Sequence, residues 1–179
     1  MVGIFLAPHT AGIPWLTVAG AASAALFAGV IVPRGRNGLW AALGAGVLLV
    51  VALYWHQAVN RNGVAPRTFV AAYLVHAGAL LLYGTPLRRL MAHLIHSAGL
   101  RRVAVGLFLG TWCATSLMML GESMVGYSLL NWPAELFVMF AVVVPVETAV
   151  RSGIGAVVGT GVIAGLRAMA LIRAREASF

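Results

Sequence analysis

The sequence predicts an all-α, polytopic transmembrane helix bundle of about six helices with one amphipathic surface segment. Three observations carry that prediction. The chain of 179 residues is 61% hydrophobic, with a mean hydropathy of +0.96. Only 9% of its residues are charged, against about 25% in a typical soluble domain. Six apolar runs approach the roughly 20 residues that a helix needs to cross about 30 Å of hydrocarbon. Four acidic and twelve basic side chains cannot coat a water-facing globule of 18.7 kDa. A cytosolic enzyme, a disulfide-stapled secreted domain and a disordered chain are therefore excluded as classes.

The runs follow one another with short polar breaks, as a single integral membrane domain. The first covers Pro14–Val32, the second Leu39–Val59 and the third Thr68–Gly84. The fourth covers Val103–Leu120, the fifth Trp132–Ala149 and the sixth Ile154–Ile172. No Lys or Arg precedes Arg34, so the first run lacks the charged start of a cleavable signal and reads as a retained helix. Only Val150, Arg151, Ser152 and Gly153 separate the last two runs, which form either a tight helical hairpin or one long bent element. Pro145 is expected to kink the fifth. Between the third and fourth runs, Leu87, Leu90, Met91, Leu94 and Ile95 fall at helical spacing, with Arg88, Arg89, His93 and His96 on other faces. That pattern predicts a helix lying along the membrane surface.

All twelve basic residues are arginines, and they set the orientation. Arg34 and Arg36, and then Arg88, Arg89, Arg101 and Arg102, mark two loops as cytoplasmic and place the N-terminus outside, in a bacterial inner membrane. With six spans, Arg173 and Arg175 fall outside, against the rule; five effective spans would bring them in. The net charge of +8 points to lipid headgroups as partners. Nucleic acid is not expected, because the arginines interrupt apolar runs instead of forming a solvated basic face with interleaved aromatics. Cys113 is the single cysteine, so no intramolecular disulfide forms.

Small residues recur at helix-packing intervals: Ala21 with Ala25, Ala24 with Ala28, Gly155 with Gly159, and Gly161 with Gly165. They serve intrachain packing or docking onto another membrane subunit. Five histidines are the first chemical candidates. His76 falls mid-membrane, where an imidazole must find a partner: either a hydrogen bond across helices or a functional role. His56, in Tyr54-Trp55-His56-Gln57, is either an interfacial anchor or a ligand. His93 and His96 share a helical face. Met118 and Met119 end the fourth run, Met124 and Glu122 follow in an outer loop, and His9 and His56 belong to the same side. Thioether and imidazole donors suit copper, above all Cu(I), so copper is the candidate cofactor and His9, His56, His76, Met118 and Met119 its candidate ligands. The competing reading of the methionines is ordinary gap filling. Glu147 and Arg151, four apart, form a structural pair expected near the cytoplasmic interface. No phosphate loop, HExxH, CxxC or GxSxG is present, and His56 and His76 fall at different depths, which does not make a haem pair. The sequence thus offers no catalytic set.

The first half resembles the CtaG-type membrane proteins of cytochrome oxidase assembly. The resemblance lies in the loop Arg34 to Arg36, the helix after it, and the stretch from His76 through Tyr83-Gly84-Thr85-Pro86-Leu87, over about residues 14–102. It implies copper handling and transfers only His76. The end, Val144-Pro145-Val146-Glu147 through Leu166-Arg167, is similar to the last helices of substrate-binding components of energy-coupling-factor transporters. Two functions follow as expectations. One is a small integral subunit or assembly factor of a membrane metalloenzyme or respiratory complex. The other is a transporter component that binds a vitamin or metal ion.

Overall fold

The computed structural model describes residues 37–61, 70–130 and 134–169. Among these there are five α-helices and no strand: α1 (Asn37–Arg61), α2 (Val70–Gly84), α3 (Arg88–His96), α4 (Leu100–Leu130) and α5 (Ala134–Ala168). Two helical segments are long and apolar enough to cross a bilayer, Leu100–Glu122 and Ala141–Ala168. The expected first span, Pro14–Val32, lies outside the described residues.

α4 is the centre. It packs against α1, α2, α3 and α5, and its contact with α5 is the most extensive in the molecule. Around its middle, Ala41 and Ala45 of α1, Ala79 and Tyr83 of α2, Met91 of α3, and Cys113 and Leu117 of α4 make one buried cluster. The Cys113 thiol lies 3.8 Å from the Ala79 carbonyl oxygen and 3.8 Å from the Met91 sulfur, so it behaves as a small core side chain. Close approach depends on missing side chains. A Cβ on Gly155 would meet Thr111, and one on Gly159 would fall 2.9 Å from Leu107 Cδ1. This GxxxG pair is thus spent on packing α5 against α4 within the chain. At Gly106 a Cβ would fall 2.8 Å from the backbone nitrogen of Ile95, which brings α3 directly onto α4.

The expectation of about six helices needs one correction. The described residues of the expected fifth and sixth spans form the single 35-residue helix α5, Ala134–Ala168, about 50 Å long at 1.5 Å per residue. The reason is local. Glu147 and Arg151 pair one turn apart, and the Ser152 hydroxyl donates to the Thr148 carbonyl at 2.7 Å. The polar residues that looked like a turn are satisfied inside the helix, and nothing at 150–153 forces a break. Pro145 lies within this helix and removes one backbone donor, the N–H that would bond the Ala141 carbonyl.

The path of α5 also bears on the arginines. Arg167, near its end, donates to two carbonyls of the turn between α3 and α4: Nη1 to Ala98 at 3.0 Å and Nη2 to Ser97 at 2.8 Å. α5 therefore ends beside the turn that leads into Arg101 and Arg102, at the arginine-rich end of the bundle. Arg173 and Arg175 lie outside the described residues.

A Gly106→Val variant should wedge α3 from α4. The expected cost is about 1–3 kcal/mol, read as a lower unfolding midpoint of the detergent-solubilised chain by circular dichroism.

Candidate functional site

The interior of the bundle carries a polar seam. α4 contributes Thr115, Ser116 and Glu122, α5 contributes Glu147, Thr148 and Ser152, and α2 contributes His76, all of them buried. The seam follows from helical spacing. Glu147 with Arg151, and Thr148 with Ser152, are i,i+4 pairs that put four polar side chains on adjacent lines of α5. The same helix exposes Val142, Val146, Val150, Ile154, Val157 and Val162. α5 thus buries these polar side chains beside Ala141 and Val144 and exposes a valine-rich surface.

The Glu147–Arg151 ion pair has side chains only 7% and 14% exposed. It occupies the middle of α5, since Arg151 is seventeen residues from each end of Ala134–Ala168, and it falls inside the apolar segment Ala141–Ala168. Thr148 Oγ1 lies 3.5 Å from the Met119 sulfur and so ties the seam to α4. Glu122, placed in an outer loop by its sequence context, belongs to α4 and is buried.

His76 is 7% exposed, and its ring hydrogen-bonds to the backbone of Ser116. Its Nδ1 has no hydrogen-bond partner among the described residues, so the bond to α4 runs through the other ring nitrogen. The imidazole thus sits between α2 and α4. It also borders a cavity of about 610 Å³ between α1 and α2, lined by Ala45, Leu49, Leu53, Tyr73 and Leu81 and closed by Leu120.

The proposed soft-metal ligands are partly placed. Met118 and Met119 are buried in α4, and Met119 lies one turn from Ser116, the residue that receives His76. His56 belongs to α1, but its side chain is outside the description, as are His9 and the side chain of Met124. Among the described residues no group of three or more His, Cys, Asp or Glu gathers as a metal site. On α3, His93 and His96 are both exposed, and His96 Nδ1 is held 2.7 Å from the Ala92 carbonyl oxygen. Arg88, read as part of the polar face of that helix, is buried.

Thr115, Ser116, Thr148 and Ser152 were not singled out from the sequence. The signal was present in α5, where two polar pairs at i,i+4 interrupt an otherwise apolar run. Comparison with protein-family models, curated proteins and solved structures gives no significant match.

Breaking the pair should be costlier than removing it. Arg151→Leu, which leaves the Glu147 carboxylate buried alone, is expected to lose about 3 kcal/mol. Glu147→Leu combined with Arg151→Leu should recover most of that loss in a double-mutant cycle followed by denaturant unfolding.

Proposed function

We propose that this chain is a small integral membrane subunit or assembly factor of a membrane metalloenzyme or respiratory complex, with scaffolding and copper handling as its roles. The observation that carries the reading is the inverted amphipathy of α5, which buries Glu147, Thr148 and Ser152 and exposes a valine-rich surface. Water would favour the reverse, and lipid favours this arrangement. In this reading the arginine-rich end faces the cytoplasm of a bacterial inner membrane and the N-terminus is outside.

The subunit role draws on a second feature. Gly155 and Gly159 are used against α4, whereas Gly161 and Gly165 have no side-chain or backbone neighbour within 4 Å of their Cβ positions among the described residues. That second glycine pair suits close approach of a helix from another membrane protein. Lipids and other membrane subunits are the partners in this proposal, and no nucleic acid is among them. Copper would be held by donors drawn from His9, His56, His76, Met118 and Met119, the imidazole and thioether set that suits Cu(I). The alternative is a substrate-binding component of an energy-coupling-factor transporter, and the cavity between α1 and α2 favours it by offering a ligand-sized space.

Affinity purification of the full chain from its native membrane, followed by mass spectrometry of the intact complex, separates the two readings. Co-migration with larger membrane proteins supports the subunit reading. Recovery with coupling ATPases and a bound vitamin selects the transporter. For copper, His56→Ala together with Met118→Leu should lower the metal content of the purified chain, and unchanged copper rejects that ligand set.

A further inference from the structure

Arg88 is the least expected side chain in the molecule. It opens α3, yet it is only 7% exposed. Its guanidinium is packed against the first turn of α1. A Cβ on Gly38 would collide with Nη2 and come within 3.4 Å of Cζ, so a side chain at that position would displace the guanidinium. Nη1 reaches the Thr85 carbonyl oxygen at 3.4 Å, and Nε has no hydrogen-bond partner among the described residues. The first turn of α1 contains no acidic residue. Of the described carboxylates, Glu122 belongs to α4, Glu135 and Glu147 belong to α5, and Glu147 is engaged by Arg151.

Two like-signed groups are thus brought together. The N-terminal end of a 25-residue helix carries about half a positive charge. A buried guanidinium adds a full charge beside it. An arrangement of that kind is disfavoured without a counter-ion, and it matches the geometry by which helix N-termini and arginine hold phosphate.

The surroundings say what the phosphate is attached to. Leu39 and Trp40 on α1, and Leu87 and Leu90 at the start of α3, are exposed apolar side chains around the site. The cavity of about 610 Å³ begins at Ala45, Gly84 and Thr85, two turns along α1 from Gly38, and continues between α1 and α2 to Leu53 and Tyr73. Its lining is overwhelmingly apolar. A free phosphate would use the charged end and leave this groove without a role.

We infer that the bundle holds one anionic phospholipid, with its phosphate between Arg88 and the N-terminal turn of α1 and an acyl chain in the groove between α1 and α2. The site rests on the membrane reading above and deepens it. It gives lipid a defined seat at the arginine-rich end, where anionic headgroups are drawn to cationic side chains.

The test is native mass spectrometry of the full-length chain in mild detergent, titrated with phosphatidylglycerol, phosphatidylcholine or inorganic phosphate. The wild type should retain one phosphatidylglycerol, about tenfold more strongly than phosphatidylcholine. Arg88→Gln should weaken that adduct about tenfold, while Arg101→Gln, a change at an exposed arginine, should not. Leu49→Trp, which fills the groove without touching Arg88, should also weaken it. Gly38→Ala, which displaces the guanidinium, covers the case in which Arg88→Gln does not fold. Equal retention of the two lipids, an adduct indifferent to both Arg88→Gln and Leu49→Trp, or displacement of the lipid by millimolar phosphate alone would overturn the inference. A chain that stays monodisperse in buffer without detergent overturns the membrane reading itself, a result distinct from loss of the adduct.

Discussion

Hydrocarbon gives a polar group nothing to bond to, so every such group inside a lipid-embedded bundle must be answered by the protein. On the membrane reading proposed above, that constraint organises the α4–α5 interface. The Ser152 hydroxyl donates to the Thr148 carbonyl, the Thr148 hydroxyl turns to the Met119 sulfur, and Arg151 closes on Glu147. The first and last of these need α5 to be helical through residues 147–152, and the second needs α4 alongside. The apolar face of the same helix is left exposed. The ion pair contributes little net energy by itself, because desolvation offsets the attraction. What it does is fix which side of α5 faces in, since turning that face outward would put two charges into hydrocarbon.

The rest of the bundle is arranged around α4 by small residues. Gly106 admits α3, Gly155 and Gly159 admit α5, and Gly78 leaves room for the Trp112 ring, which would lie 2.8 Å from a Cβ there. His76 adds a directional link from α2 to the Ser116 backbone. Without a hydrophobic driving force between helices, close packing and a few interhelical hydrogen bonds are what hold such a bundle together.

The all-α class and the long apolar helices were legible because composition and run length depend on the solvent and not on tertiary detail. The division of α5 into two spans was not. Val150-Arg151-Ser152-Gly153 looks like a polar turn only when its side chains are imagined facing water. Pairing with Glu147 and Thr148 one turn earlier makes the same residues helical. Arg88 misled for the complementary reason. Beside Arg89, and between leucines, it reads as a surface charge. Its guanidinium packs against Gly38, fifty residues earlier, a contact that no local pattern reveals. The soft-donor cluster was visible as residue types, yet only His76, Met118 and Met119 among its members have described side chains, and those three are engaged in packing and helix-to-helix contact.

Arg167 has a consequence for how the bundle is completed. It reaches back about seventy positions to the Ser97 and Ala98 carbonyls, groups at the end of a short helix that have no further backbone donor of their own. A single side chain of α5 thus bonds two carbonyls of the bend between α3 and α4, so three helix ends meet at one point.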